Sequence, residues 1–146
     1  MSGTMRMTVA FLTLFAMSTS APPPATIQVN AAQIVWKEGP PTMPKGTKVA
    51  VLEGDPKLPG IFTMRLRVPS GSKVMPHWHP RPERVTVLSG KVAVGFGDRW
   101  NERDMHTFNA GDFYVNPAES HHYVFFPRTS VIQITGEGPW ELKPLP

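Results

Sequence analysis

Two histidines and a glutamate lie close together near the middle of the chain, within the stretch Gly71 to Gly90. His77 and His79 are one residue apart, so in an extended strand their side chains point to the same face. Glu83 follows four residues after His79, behind a proline-containing loop. Imidazole and carboxylate groups are ligands for divalent transition metals. This stretch therefore predicts one half of a metal site.

A second stretch, Gly111 to Phe126, carries a histidine pair behind a proline turn and predicts the other half. Adjacent residues of a strand point to opposite faces, so only one of His121 and His122 can be a ligand. The residue types alone do not choose between them, because a strand histidine is often only a core or surface residue. We expect His106 to have such a structural role.

Composition limits the kind of protein that these residues serve. A chain of 146 residues has room for one domain, and 40% hydrophobic with 18% charged residues is typical of a globular protein. The 12 glycines and 17 prolines separate short apolar runs, which favours an all-β fold. With no cysteine there is neither a disulfide nor a thiolate ligand, so His, Asp or Glu must hold any metal.

Charge argues against nucleic acid as a partner. The formal net charge of +4 comes from 15 lysines and arginines that are scattered along the sequence. No basic helix, arginine-rich run or nucleic-acid-binding motif is present. We expect a small-molecule ligand or substrate instead.

The first 20 residues have the pattern of a signal peptide. Arg6 precedes the apolar run 9–17, and small residues at 18–21 suit a signal peptidase. The run is shorter than the roughly 20 residues of a membrane span. We therefore predict a secreted or periplasmic protein without a stable membrane anchor; the alternative is an N-terminal segment that is never cut. Residues 21–31 form a proline-rich leader.

Residues 32–136 show the turn spacing of a sandwich or barrel, with about ten short strands. The run 61–68 alternates with Phe62, Met64, Leu66 and Val68 on one face, which we assign to the interior, and its two arginines on the other. Residues 137–146 are expected to form a tail across a barrel end or a neighbouring subunit. The strand candidates are 32–36, 48–52, 61–68, 83–88, 92–96, 106–108, 113–115, 121–126 and 130–135.

Both stretches resemble the two motifs of the cupin superfamily, most closely its small single-domain, type-2-like members. The first fits Gly-x5-His-x-His-x3-Glu-x6-Gly at every fixed position. The second fits Gly-x5-Pro-x-Gly-x2-His-x3-Asn at Gly111, Pro117 and His122, but has Glu119 for the inner glycine and Phe126 for the asparagine. The positions that match the first motif are Gly71, His77, His79, Glu83 and Gly90.

The resemblance implies a double-stranded β-helix, that is, a single jelly-roll barrel, and a homodimer. It also implies that His77, His79, Glu83 and His122 bind one divalent metal ion inside the barrel. Three imidazoles and one carboxylate suit Fe, Mn, Ni, Co, Cu or Zn and disfavour calcium. On an octahedral ion, two positions would remain for water, dioxygen or a substrate.

Two functions are consistent with this site, because the fold hosts many activities. The first is a small metal-dependent enzyme, dioxygenase-like or an isomerase or lyase with Lewis-acid chemistry, acting on a small oxygen-donor substrate. The alternative is a non-catalytic module that binds or senses a small ligand around a structural metal. The sequence leaves turnover open.

Other positions are predicted from their place in the strands. Tyr114 is expected to pack in the core. Glu119 replaces a glycine at a turn where a positive φ is expected, which costs a non-glycine residue about 1 kcal/mol. The residues predicted to line a pocket over the metal are Phe62, Met64, Phe96, Phe113 and Val124.

Overall fold

A computed structural model describes residues 25–146, which form two antiparallel sheets. The predicted signal peptide lies outside the described residues. The strands are β1 (Lys37–Glu38), β2 (Lys48–Glu53), β3 (Gly60–Val68), β4 (Ser72–Trp78), β5 (Glu83–Ser89), β6 (Lys91–Phe96), β7 (His106–Asn109), β8 (Phe113–Asn116), β9 (His122–Phe126), β10 (Ser130–Gly138) and β11 (Lys143–Pro144). Two short 3-10 helices, Ala31–Gln33 and Glu102–Asp104, complete the elements.

The strand order confirms the predicted all-β jelly-roll fold. One sheet has the order β1-β2-β3-β10-β5-β8 and the other β11-β4-β9-β6-β7. Strands distant in sequence are neighbours in both sheets, as in a double-stranded β-helix. A single hydrophobic cluster takes side chains from both sheets, so the core and the site lie between them.

The alternation in β3 shows why these residues form a half-buried strand. Phe62, Met64, Leu66 and Val68 are all buried, whereas Arg67 between them is exposed. This pattern confirms the predicted inward face. β10 pairs with β3 along its whole length and has the same alternation, so these two strands form the centre of the larger sheet.

The last glycine of the first motif is required by a close approach. Gly90 turns the chain between β5 and β6 with φ +83°. A β-carbon there would collide with the side chain and backbone of Ser130. The Ser130 hydroxyl accepts a hydrogen bond from the backbone N–H of Lys91 at 3.0 Å. Only glycine fits this turn, which fixes where β5 ends and β6 begins.

Two parts of the predicted strand pattern are wrong. Residues 32–36 do not form a strand: the chain makes a 3-10 turn at Ala31–Gln33, and Val35 is 76% exposed, so this segment lacks a buried face. The tail does not begin at 137, because β10 continues to Gly138 and the following residues add β11 beside β4.

Among residues 25–146, no helix is long and apolar enough to cross a membrane.

Glu119 has the positive φ predicted from its motif position. Its φ is 61°, and within the described part of the chain it is the one non-glycine residue in this region. Its backbone N–H donates to the carbonyl of His79 at 2.8 Å, so the turn connects the two motif segments. The side chain is exposed. The ring of His121 makes a hydrogen bond with Asp98 rather than with Glu119.

We predict that Glu119→Gly stabilises the protein without affecting metal content. Glycine adopts the left-handed backbone conformation without the steric cost that glutamate has there, and it keeps the N–H that contacts His79. The free energy of unfolding should therefore rise by about 1 kcal/mol. Thermal unfolding and elemental analysis measure the two effects. A large loss of metal would show that the Glu119 side chain has a role at the site.

Candidate metal centre

Three strands position the four predicted ligands. His77 lies near the end of β4 and pairs with His122, the first residue of β9, while His79 follows β4 directly. Glu83 is the first residue of β5 in the opposite sheet. All four side chains are buried. The fold therefore brings both sequence segments together between the sheets.

The three histidines form a group that could hold a metal ion, with one ring nitrogen from each residue lying within 4.8 Å of the others. Glu83 lies beside them: its Oε2 is 3.6 Å from Nε2 of His79 and 3.7 Å from Nε2 of His122. The structure thus supports the three-histidine part of the site directly. The carboxylate as a fourth ligand stays a prediction.

Backbone carbonyls fix the direction of each imidazole. The Nδ1 atom of His77 lies 2.7 Å from the carbonyl of Met75, and that of His122 lies 2.9 Å from the carbonyl of Ser120. For His79 the partner is the carbonyl of Glu141, at 2.8 Å. A carbonyl can only accept, so each Nδ1 carries a proton, and in the neutral ring Nε2 then keeps a free lone pair.

These free lone pairs are the feature that fits a metal. The Nε2 atoms of His79 and His122 are buried and have no hydrogen-bond partner. A buried polar atom without a partner costs about 1–3 kcal/mol, so its persistence needs an explanation. Ligation through Nε2 with Nδ1–H donated to a carbonyl is the usual arrangement of metal-bound histidine. The residues present therefore fit one divalent metal ion.

Asn116 supports the carboxylate and was missed by sequence reasoning. Its Nδ2 donates to Glu83 Oε2 at 2.7 Å, and the two residues pair across β5 and β8. The available signal was strand parity: Asn116 shares a face with Tyr114, two residues earlier. Tyr114 packs on Phe108 with ring centroids 4.4 Å apart, and burial raises the pKa of its phenol.

The pKa shifts give the site the charge state that metal binding needs. Burial, reinforced by the neighbouring His122, lowers the pKa of His77 to about 4. Burial also lowers the pKa of His79. For Glu83, burial alone would raise the pKa, but His122, His79 and Asn116 outweigh it and lower the pKa to about 2. At neutral pH His77 and His79 are neutral and Glu83 is ionised, so these ligands need not lose a proton.

The contact of the C-terminal tail with His79 is the larger feature that sequence reasoning missed. Trp140 stacks on the ring of His79, with centroids 4.4 Å apart and planes 15° from parallel. The next residue, Glu141, provides the carbonyl that holds His79. Strand periodicity gave no signal for this contact, because the segment has three prolines and only two paired residues.

The five predicted wall residues divide into three groups. Phe62, Met64 and Val124 are buried in the core cluster. Phe96 is 53% exposed, and its ring centroid is 6.4 Å from that of His122, so it lies at an open edge of the site. The prediction for Phe113 is corrected: it is 56% exposed and lies on the face of β8 opposite Tyr114, outside the interior.

The remaining histidines lie away from the centre. His121 points out of the interior and contacts Asp98, with Nδ1 2.6 Å from the carboxylate. His106 is exposed and packs edge-on against Phe108. Both placements agree with the roles expected from parity and motif position.

A cavity of about 820 Å³ lies beside the site rather than over the ligands. None of the four predicted ligands lines it. The tail lines one side through Trp140, Glu141 and Leu142, and Met64 and Leu66 of β3 also line it. The tail thus touches His79 and also lines the cavity.

Two facing antiparallel sheets with a buried histidine trio at their centre define a cupin. The sequence profile of the ChrR cupin-like domain family matches residues 24–141, and the chain belongs to this family. The predicted membership of the cupin superfamily is therefore confirmed.

Among curated proteins, a germin-like protein 3-1 of Oryza sativa subsp. japonica is 34% identical over 67 residues, which are 45% of this chain and 30% of that protein. The chain thus spans less than a third of that relative. The polyketide cyclase RemF of Streptomyces resistomycificus superimposes with a TM-score of 0.67 and 16% identity over 83% of this chain and 86% of that one. An acetylacetone dioxygenase of Acinetobacter johnsonii has a TM-score of 0.62 and 18% identity, covering 87% and 83%. At these identities the structural likeness shows the fold alone.

We predict that the metal-free protein loses stability as pH falls from about 7 to 4. The pKa of His77 is about 4 in the folded state and 6.5 as the reference value. The unfolded chain therefore binds more protons in this window and is favoured by acid. A shift of this size corresponds to about 3 kcal/mol. Urea unfolding at several pH values, in the presence of EDTA, measures the effect.

The matched variants are His77→Gln, which should flatten this pH profile, and His106→Gln, which should leave it unchanged. A free energy of unfolding that does not vary between pH 7 and 4 would contradict the neutral, buried state of His77.

Proposed function

We propose that this chain is an exported metalloprotein that binds one divalent transition metal through His77, His79, His122 and Glu83, and that it is a small metal-dependent enzyme. The observation that carries the proposal is the pair of buried Nε2 lone pairs without partners, on rings whose Nδ1–H groups are already used. A metal ion in this position would satisfy them together. The proposed substrate is a small molecule with oxygen donors.

The charge of the ligand set supports this class of substrate. Three neutral imidazoles and one carboxylate around a divalent ion leave a net charge near +1 in a buried site, which attracts enolates and carboxylates. A bound transition metal would supply Lewis acidity, and a redox-active one would supply electrons for oxygenation. Phe96, beside His122, gives the open edge an apolar side chain that suits a carbon skeleton.

Proteins of similar fold support the proposal by analogy. They include a polyketide cyclase and an acetylacetone dioxygenase. Acetylacetone is a β-dicarbonyl whose enolate offers two oxygens, the type of ligand that the charge of this site favours. Acetylacetone and related β-dicarbonyls are therefore the first substrates to test.

A second candidate function is a module that binds a small ligand around a structural metal. It is favoured by the position of the 820 Å³ cavity, which lies beside the ligands and has a largely apolar lining. A ligand held there would contact the tail rather than the metal. We further propose that the protein is a secreted or periplasmic homodimer, as the N-terminal pattern and the family resemblance imply.

We predict that the purified protein holds one transition metal ion per chain and that His77→Ala and His122→Ala abolish this binding. Each substitution removes one of three converging nitrogen ligands. His121→Ala is the matched control, because it deletes the adjacent ring on the outer face and should retain the metal. Elemental analysis of protein from the native host gives the stoichiometry and identity. Stoichiometric metal in both site variants would refute the centre.

We predict that the iron-loaded protein consumes dioxygen when a β-dicarbonyl is added, and that His122→Ala does not. An oxygen electrode with acetylacetone as the probe measures this, with His121→Ala as the active control. If the native metal is zinc, and ligands raise the melting temperature without any turnover, the enzyme proposal fails and the binding module is supported.

A further inference from the structure

We propose that the C-terminal segment 139–146 is the positioning element for one ligand of the metal centre, His79, and that Trp140 is its principal positioning residue. This inference rests on the proposed metal site and names a part of the chain that the cupin motifs do not include. Trp140 contacts the ring of His79 directly and acts on the metal centre through that ring.

The three histidines differ in where their carbonyl partners come from. His77 and His122 each donate to a carbonyl only two residues earlier in the chain. Those partners belong to the same local segment of the chain. His79 donates instead to Glu141, 62 residues later. The orientation of this one ring therefore depends on tertiary docking of the tail.

Trp140 fixes the ring from a second direction. Its indole lies nearly parallel to the imidazole at 4.4 Å, so it limits rotation of His79 about its side-chain bonds. The indole also packs on Phe62, with centroids 5.7 Å apart, and Phe62 is fully buried in the core. The backbone N–H of Trp140 donates to the carbonyl of Pro56 at 2.7 Å. The indole is thus held by the core, and the imidazole is held by the indole.

The rest of the segment secures Glu141 on its other side. Lys143 and Pro144 pair with Trp78 and His77 of β4, and the N–H of Leu145 donates to the carbonyl of Pro76 at 3.1 Å. Leu142 packs against the core cluster. The segment is anchored before and after Glu141, so its carbonyl cannot move away from His79 without breaking these contacts.

The consequence concerns the tautomer of His79. A neutral imidazole can carry its proton on either nitrogen, and the hydrogen bond to Glu141 selects Nδ1. Loss of that bond would let the proton move to Nε2 or let the ring turn, and the lone pair would then leave the centre. Removing such partners of metal-bound histidines typically lowers metal affinity 10–100-fold.

The test uses the full-length protein with Trp140→Ala, and with Trp100→Ala as the matched control. Trp100 lies on the outer side of the smaller sheet, against Tyr123 and Phe125, and makes no contact with the four ligands. Two measurements are made: the Kd for Zn²⁺ by competition with a chelator, and the histidine tautomers of the metal-free protein from long-range proton–nitrogen NMR spectra of the imidazoles.

We expect Trp140→Ala to raise the Kd for Zn²⁺ by 10–100-fold and Trp100→Ala to leave it within about twofold. In the spectra, His79 alone should lose its Nδ1–H form, while His77 and His122 keep theirs. Trp140→Phe keeps a stacked ring and should recover most of the affinity. A merely structural role would lower the melting temperature without this selective change in His79.

If Trp140→Ala does not fold, Leu142→Ala is the smaller change beside Glu141, and the same selective effect on His79 is expected. The inference is overturned if His79 keeps its Nδ1–H form and the Kd stays within twofold of the control in whichever of these variants folds. Absence of Zn²⁺ binding by the unmodified protein would instead refute the proposed metal site, so the two failures are distinguishable.

Discussion

The site depends on one constraint: three buried imidazoles must present their Nε2 lone pairs to the same point between the two sheets. Each ring meets this condition by donating Nδ1–H to a backbone carbonyl, which removes the choice of tautomer. The cost is that Nε2 of His79 and His122 is buried without a hydrogen-bond partner. A bound metal ion would offset that cost and would link stability to ligation.

Strands of both sheets position the side chains of this site. Pairing of His77 with His122 across β4 and β9 brings two rings together on the smaller sheet. The larger sheet contributes Glu83, whose carboxylate is oriented by Asn116 from the neighbouring strand. The carboxylate of Glu83 is buried. It stays ionised because His122, His79 and Asn116 lower its pKa more than burial raises it. Burial and polar neighbours together thus set the charge of the site.

The C-terminal tail also holds one of the three histidine rings in place. It crosses from the end of β10 in the larger sheet to β11 at the edge of the smaller one, and on the way it contacts His79. Its residues also line the 820 Å³ cavity. The tail therefore contacts the ring of His79 on one side, and on another side it could contact a small molecule bound in the cavity. Neither sheet by itself makes both contacts.

Much of this architecture could be read from local spacing. The one-residue interval between His77 and His79 places both rings on one face, and the alternation of β3 identifies its buried side, because the two-residue period of a strand is a local property. The left-handed turn at Glu119 was predicted in another way, from the glycine that the second cupin motif has at this position. Phe113 was misassigned because parity does not say which face of a short strand is the inner one, and pairing with β5 decided it.

The sequence by itself determined the candidate ligand types, their spacing and the all-β fold, since each depends on residue identity and short-range geometry. Only the tertiary structure decided what holds those ligands in place. Asn116 lies 33 residues from Glu83, and Trp140 and Glu141 lie 61 and 62 residues from His79. Such contacts leave no periodic signal, because they arise from how strands pair and where a proline-rich tail docks.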